Sequence, residues 1–310
     1  MLNESEAGTY DENAGKVTEV EYSSIYGGYV TGSTQDTPLS ANGNTVTIIR
    51  DDRKNDVFMD SVVGGYTAAG EASGNTAKLT GVYIPEDEEG NYGYNNIFAG
   101  YNDDTFVAGG QTKSGNAHDN TVTLTNADAD TVYGGQTSSG NAYNNYVTIK
   151  EEVSDEEASD AAPYADTVYG GQTSSGNAYN NYVTIQKEVS GKGTSGAFGD
   201  ISTVYGGQTD SGNAYDNHVT LTNADAGTVY GGAVAYGAIT DSSDNSEVTL
   251  NASAETDFET VTVKVEDLLG ASLVNVAGGT PSTGSGSTVT GPVSLHADHN
   301  EVTLKSSSVN

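Results

Sequence analysis

The chain has 310 residues, of which 43 are acidic and 11 are Lys or Arg, so its formal net charge is −32 at pH 7. This charge excludes nucleic acid as a partner, because too few cations are present to neutralise phosphates. It also disfavours adsorption to an anionic membrane. No apolar run is long enough to span a bilayer, so the sequence predicts no direct membrane insertion. Cysteine is absent, and disulfide bonds therefore contribute nothing to stability.

Residues 1–24 are predicted to form an irregular N-terminal segment or cap. They are rich in acidic side chains and begin without the basic start and apolar centre of a secretion signal. Two interpretations follow. Either the protein is intracellular, or the sequence is a mature fragment whose targeting segments have been removed.

A repeated unit occupies residues 25–250. Residues 132–149 read VYGGQTSSGNAYNNYVTI, and this pattern returns almost unchanged at 168–185 and 204–221. Weaker copies extend it in both directions, and each copy has Val or Ile two residues before a Gly-Gly pair. The sequence thus predicts one supersecondary unit stacked on about eight copies of itself. The pairs begin at Gly27, Gly64, Gly109, Gly134, Gly170, Gly206, Gly231 and Gly278.

Each unit closes on an apolar-x-apolar triplet such as Val147-Thr148-Ile149, whose outer two side chains are expected to point inward. Two short strands per unit are therefore predicted. An Asn two residues before the triplet shares this inward side, where an unpaired amide would be costly. In parallel, in-register coils about 4.8 Å apart, such amides can hydrogen-bond to one another as a ladder. The candidates are Asn44, Asn75, Asn120, Asn145, Asn181, Asn217 and Asn300, and Ser246 takes the place in one unit.

The connections between units vary in length, whereas five units keep one length from the first Gly of the pair to the closing Ile or Leu. These units start at Gly64, Gly109, Gly134, Gly170 and Gly206. The long inserts at 151–165 and 187–202 are therefore interpreted as surface projections from one edge of a solenoid. The 40 glycines are expected to supply positive-φ corners. Residues 251–310 are predicted to be degenerate C-terminal coils. Together these features predict an all-β, right-handed parallel β-helix with loop inserts on one edge.

The unit V-Y-G-G-x4-G-N-A-x-N-N-x-V-T-I, over about residues 25–304, resembles the repeats of passenger domains in bacterial autotransporter adhesins. The resemblance implies an extracellular location on the bacterial cell surface, although the signal and translocator segments of such proteins are absent from this sequence. It further implies binding to a host surface glycan or protein, or to another copy of the chain. The expected function is therefore that of a non-catalytic adhesin segment.

Tyrosine recurs at two positions predicted to face outward. Stacked in register, each set would form a row that either packs on itself and shields the backbone or serves as a flat platform for sugar rings. A repetitive ligand would then gain avidity from weak repeated contacts. The candidate ligand-binding residues are Tyr133, Tyr169, Tyr205 and Tyr230 in one row and Tyr143, Tyr179 and Tyr215 in the other.

Two other functions are weighed against adhesion. The first is a polysaccharide lyase or hydrolase on the same scaffold, for which Arg50 and Arg53 provide the only arginines. The second is ice binding, which rows of outward Thr, such as Thr148 and Thr184, would permit. No cofactor or metal site is expected, because the His296-Ala297-Asp298-His299 segment lacks further ligands. Calcium at the acidic loops is the one cofactor alternative.

Overall fold

The computed structural model describes residues 10–11, 16–17, 19–22, 24–49, 56–81, 97–99, 106–153, 163–189, 201–210, 212–222, 224, 226–234, 247–251, 268–269, 273–276, 293–294 and 302–304. These residues contain no helix, and nearly all of their strands belong to three sheets. The exception is a separate antiparallel pair, β1 (Tyr10–Asp11) with β2 (Lys16–Val17).

The first sheet, named the glycine sheet, has 11 strands and holds every Gly-Gly pair from Gly27 to Gly231. Val132, Val168 and Val204 lie in register and are fully buried. The strands are β3 (Glu19–Tyr22), β4 (Ile25–Val30), β7 (Asp56–Met59), β8 (Ser61–Ala69), β11 (Ile97–Ala99), β12 (Phe106–Ser114), β15 (Asp128–Ser139), β18 (Ala165–Thr173), β21 (Ile201–Thr209), β24 (Thr228–Val234) and β26 (Leu268–Leu269).

The second sheet, named the triplet sheet, has ten strands and holds the closing triplets in register. Val183 and Ile185 are buried, and Thr184 between them is only half-buried, as strand alternation requires. The strands are β6 (Thr45–Ile49), β10 (Thr76–Thr80), β14 (Thr121–Thr125), β17 (Tyr146–Val153), β20 (Tyr182–Val189), β23 (His218–Thr222), β25 (Glu247–Asn251), β27 (Leu273–Val276), β28 (Val293–Ser294) and β29 (Val302–Leu304).

A third sheet corrects the prediction of two strands per unit. Its six strands have two residues each, which is too short to show a periodicity in the sequence. Each starts with an Ala that is buried in the core, and each lies between a glycine-sheet strand and a triplet-sheet strand. The strands of this corner sheet are β5 (Ala41–Asn42), β9 (Ala72–Ser73), β13 (Ala117–His118), β16 (Ala142–Tyr143), β19 (Ala178–Tyr179) and β22 (Ala214–Tyr215).

Successive coils pair in parallel and in register in all three sheets, and the predicted all-β parallel β-helix is confirmed. Among the described strands of these sheets, only β28 pairs antiparallel, with β27. The core is narrow, because each coil contributes only a few inward side chains such as Val147, Ile149 and Ala142. Every coil therefore buries its apolar surface mainly against its neighbours.

The buried Asn side chains form a hydrogen-bonded ladder through this core. Asn145 Nδ2 donates to Asn181 Oδ1 at 3.0 Å, and Asn181 Nδ2 donates to Asn217 Oδ1 at 2.9 Å. Each amide nitrogen also donates to a backbone carbonyl of the corner sheet, as Asn181 does to Ala142 at 3.0 Å. The ladder begins at the half-buried Asn44 and continues through Asn75 and Asn120, whereas Asn300 lies outside the described residues.

The expectation that glycines supply positive-φ corners holds at Gly43 and Gly74, whereas the Gly-Gly pairs are needed for space beside the ladder and the next coil. A Cβ on Gly135 would lie 2.5 Å from Asn145 Oδ1, so the buried amide occupies the space of a side chain. The left-handed corner falls instead on the residue before each ladder Asn, where Asn and Asp tolerate it. These corner residues are Gly43, Gly74, Asp119, Asn144, Asn180 and Asp216.

A second inward polar row was not foreseen. Thr137 Oγ1 donates to the carbonyl of Gly115 in the preceding coil at 2.8 Å, and Thr173 does the same to Gly140 at 2.8 Å. These hydroxyls satisfy carbonyls at the turn that leaves the glycine sheet. The row comprises Thr67, Thr112, Thr137, Thr173 and Thr209, all buried.

The two long inserts begin inside the solenoid, so their description as surface projections is wrong for their first residues. Strands β17 and β20 continue in register past the triplets as far as Val153 and Val189. Strand alternation continues as well, so Glu151 and Lys187 are buried. Residues 154–162 and 190–200 lie outside the described residues.

Both ends of the repeat region depart from the predicted boundaries. Strand β3 pairs in parallel with β7, so the glycine sheet begins within the segment that was expected to be irregular. At the other end, Val276 was assigned to a Gly-Gly strand, but it lies in the triplet sheet opposite Leu304. Leu268 occupies the register of Val229 instead, because a Leu-Leu pair also supplies an apolar strand. Gly278 lies outside the described residues.

Candidate functional site

The tyrosines of the glycine sheet form one continuous stack of rings, named the sheet row. Tyr133, Tyr169, Tyr205 and Tyr230 lie in register. Their ring centroids are 5.1, 4.9 and 4.7 Å apart, and neighbouring planes differ by 6° or 7°. Phe106 ends the row with an edge contact to Tyr133 at 5.7 Å.

The tyrosines of the corner sheet form a second stack, named the corner row. His118, Tyr143, Tyr179 and Tyr215 are separated by 4.6, 5.0 and 5.1 Å, with planes within 6° of parallel. The imidazole of His118 thus takes the place of a phenol at one end of the row. Two-residue strands position the row, since each ring follows the buried Ala of its strand.

A third stack, named the triplet row, was not among the predicted site residues. Tyr146, Tyr182 and His218 open the triplet-sheet strands and stack at 5.0 and 4.7 Å. The sequence carries a signal for this row, because His218 and Tyr146 occupy the same slot of the repeat. Tyr146 is 45% exposed, the most open ring of the three rows, and the other members are half-buried.

Stacking changes what the tyrosines can offer to a ligand. Tyr169 lies between two rings, and so do Tyr143, Tyr179, Tyr182 and Tyr205, so both faces of each are covered. The expected flat platform for sugar rings is therefore not present at these residues. The rows present ring edges, which combine an apolar rim with a polar hydroxyl.

Polar side chains lie between the corner row and the triplet row. They belong to the left-handed corner residues, and Asn144 Nδ2 donates to Asp119 Oδ1 of the neighbouring coil at 3.2 Å. Four successive coils thus present the same pattern. An aromatic ring is followed by a polar corner side chain, and the residue two positions after the corner is another aromatic ring or a Thr. We name this surface the aromatic corner: His118, Asp119, Tyr143, Asn144, Tyr146, Tyr179, Asn180, Tyr182, Tyr215, Asp216 and His218.

The predicted rows of outward Thr are in register, but rows of other side chains lie beside them. Thr123, Thr148, Thr184 and Thr220 form a row on the triplet sheet. It runs between the triplet row and a row that changes from Thr125 to Lys150 and Gln186. The outer face is therefore chemically mixed, whereas ice binding needs a flat and uniform Thr array.

Burial raises the pKa of phenol hydroxyls in the sheet row and the corner row. Desolvation is the largest cause at Tyr169, and the neighbouring Tyr133 and Tyr205 raise its pKa further. Tyr133, Tyr143, Tyr179, Tyr205 and Tyr215 are shifted in the same direction, again mainly by desolvation. These hydroxyls stay protonated at physiological pH and can both donate and accept hydrogen bonds.

This shift predicts a loss of stability at alkaline pH. An unfolded Tyr titrates near pH 10, whereas folded Tyr169 keeps its proton to higher pH. Between about pH 10 and the higher pKa of folded Tyr169, the unfolded state binds fewer protons than the folded state. The contribution of Tyr169 to the free energy of unfolding is therefore complete below about pH 10 and is lost as the pH rises further. Urea unfolding across this range should show a shallower decline for Tyr169→Phe than for the wild type. Parallel declines would contradict the assignment.

His118 is held between two carboxylates at the end of the corner row. Its Nδ1 lies 2.7 Å from Asp119 Oδ2 and its Nε2 lies 3.6 Å from Glu71 Oε2. The two contacts use different nitrogens of the imidazole ring, so the two carboxylates do not converge on one point where a metal ion could bind. The part of the chain that the structure describes has no group of three metal-binding side chains. His296, Asp298, His299, Arg50 and Arg53 lie outside it.

Comparisons with known proteins add no family. No family model, no curated protein and no solved structure matches the chain. Among the described residues there is also no helix of the length and apolarity that a membrane crossing requires.

Proposed function

We propose that this chain is a non-catalytic adhesive segment of a bacterial surface protein, similar to autotransporter passenger domains. It binds a host surface glycan or protein, or another copy of itself, and it acts outside the cell. The observation that carries the proposal is the aromatic corner, in which four successive coils repeat the same pattern of aromatic and polar groups. Because the surface repeats its pattern once per coil, it suits a partner whose chemical groups also repeat along its length.

Stacked rings can contact a ligand at a small cost in side-chain entropy. The rows hold each ring between its neighbours, so little side-chain entropy remains to be lost on binding. Ring edges offer hydroxyl groups, and the corner residues Asn144 and Asn180 offer amides that donate and accept. These are groups that recognise sugar hydroxyls or exposed backbone.

The absence of catalysis in the proposal is supported by the position of a basic and acidic pair, Lys187 with Glu151, which the described structure places in the core. Lys187 Nζ lies 2.9 Å from Glu151 Oε1, but the two side chains are only 4% and 1% exposed. General acid–base catalysis needs such groups within reach of a substrate. A polysaccharide cannot approach this pair in the described fold.

The proposal is tested by combining Tyr146→Ser, Tyr182→Ser and His218→Ser. Without the triplet row, we expect binding to glycan and host-protein arrays, or aggregation of bacteria displaying the chain, to weaken by about tenfold or more. Release of reducing ends is measured alongside, because repeated turnover would favour an enzyme.

The matched control replaces Thr148, Thr184 and Thr220 with Ser, on the same strands and the same outer face. This control should bind as the wild type does. The adhesive assignment of the aromatic corner fails if the triplet-row variant keeps its β-type circular dichroism spectrum and binds undiminished.

A further inference from the structure

A Lys and a Glu are buried together in the core between the two coils that carry inserts. Glu151 and Lys187 lie directly opposite each other on the paired strands β17 and β20. Lys187 Nζ is 2.9 Å from Glu151 Oε1, and the side chains are 4% and 1% exposed. Charged side chains are almost never buried to this degree unless they are paired, as these two are.

The Glu151 carboxyl group is poorly accommodated as an anion. Nζ approaches Oε1 at ion-pair distance, but neither carboxyl oxygen has a hydrogen bond of normal geometry among the described residues. Desolvation raises the pKa of Glu151 by more than the charge of Lys187 lowers it. Transfer of one proton from Nζ to the carboxylate converts the pair into a neutral amine and a neutral acid.

We propose that Glu151 and Lys187 join covalently as an isopeptide bond. The lone pair of the neutral Nζ attacks Cδ of the Glu151 carboxylic acid, and a new N–C bond forms. The C–OH bond then breaks, and the hydroxyl group leaves with a proton from the nitrogen as one molecule of water. No oxidant, cofactor or second protein is consumed.

The fold supplies what this condensation needs. Two opposed strands hold the amine against the acid, and intramolecular reactions in such geometry reach effective molarities of about 10⁵–10⁸ M. The released water leaves a site that excludes solvent, so the reverse hydrolysis is disfavoured. Amide formation also ends the exchange with the ion-paired form of Glu151 and Lys187, in which both charges are desolvated.

The consequence is a cross-link between neighbouring coils in a chain that has no cysteine. A parallel β-helix is held together along its axis by hydrogen bonds and side-chain packing, and pulling can peel it coil by coil. The bond between residues 151 and 187 would close the intervening coil into a loop that force cannot extend. This mechanical role is independent of which ligand the aromatic corner binds.

The experiment is mass spectrometry of the purified, folded chain. The intact mass should be lower by one water than the mass of the sequence, and a protease digest should yield one branched peptide that joins Glu151 to Lys187. An unchanged intact mass overturns the proposal. So does a water loss that maps to any other residue pair or to a single residue.

Three variants test whether the water loss belongs to this pair. Glu151→Ala should restore the full mass, whereas Glu152→Ala, at the exposed neighbouring position, should keep the water loss. Lys187→Arg should also restore the full mass, because the guanidinium group is not a nucleophile at neutral pH. If a variant fails to fold, the peptide map of the wild type decides alone.

Discussion

Replacing Asn181 with Leu should lower the free energy of unfolding by about 3 kcal/mol. Asn181 Oδ1 accepts from both the backbone N and the Nδ2 of Asn145, at 3.2 and 3.0 Å. Its Nδ2 donates to Ala142 O at 3.0 Å and to Asn217 Oδ1 at 2.9 Å. Leu satisfies none of these groups, so two donors of Asn145 and the carbonyl of Ala142 lose a partner while they stay buried. Urea unfolding monitored by circular dichroism measures the change.

The matched control is Asn213→Ala, because Asn213 belongs to the same type of coil but its side chain is exposed. Its stability should stay within about 0.5 kcal/mol of the wild type. Asn181→Asp keeps an acceptor for Asn145 but loses the donor and buries a charge, so it should also destabilise. Equal melting curves for Asn181→Leu and Asn213→Ala would show that the ladder contributes nothing.

The fold and the ladder could be predicted from the sequence because both depend on the spacing of the repeats and on the alternation of side chains along a strand. Val147 and Ile149 define the inward side of a strand, and Asn145 must lie on that side if the strand extends two residues further. The near-identical copies at 168–185 and 204–221 then fix the register. The rows of Tyr follow from the same register, since each ring occupies one slot of the repeat.

Other features depend on what surrounds a residue in three dimensions, and the repeat does not contain that information. The corner strand at Ala142–Tyr143 has no period, so the sequence shows no third strand. The inserts look like loops by composition, yet Glu151 continues the alternation of its strand and is buried. Ring orientation is set by side-chain torsions, so the covered faces of Tyr169 and Tyr179 were not foreseeable.

The roles of the glycines also could not be predicted fully from the sequence. Gly is expected at positive φ, but a sequence does not distinguish that use from a need for space. In this fold Gly43 and Gly74 adopt positive φ with no atom closer than 3.9 Å to an added Cβ. At the Gly-Gly pairs, by contrast, an added Cβ meets the amide ladder or the carbonyl of the next coil.

Gly171→Ala is therefore expected to destabilise the chain by about 3 kcal/mol, at the upper end of the usual range for overpacking. The new Cβ would lie 2.6 Å from Asn181 Nδ2 and Oδ1, and that side chain is held on both sides by Asn145 and Asn217. It cannot move without breaking its own hydrogen bonds, so one methyl group disturbs three coils.

The control for this substitution is Gly74→Asn, at a left-handed corner where later coils carry Asn144 and Asn180. Its Cβ would enter open space, and Asn accepts positive φ, so we expect a change within about 0.5 kcal/mol. Urea unfolding of both variants separates the two uses of glycine. If Gly171→Ala were as stable as Gly74→Asn, the Asn ladder would have to be mobile enough to yield, and the rigid register that aligns the aromatic rows would lose its explanation.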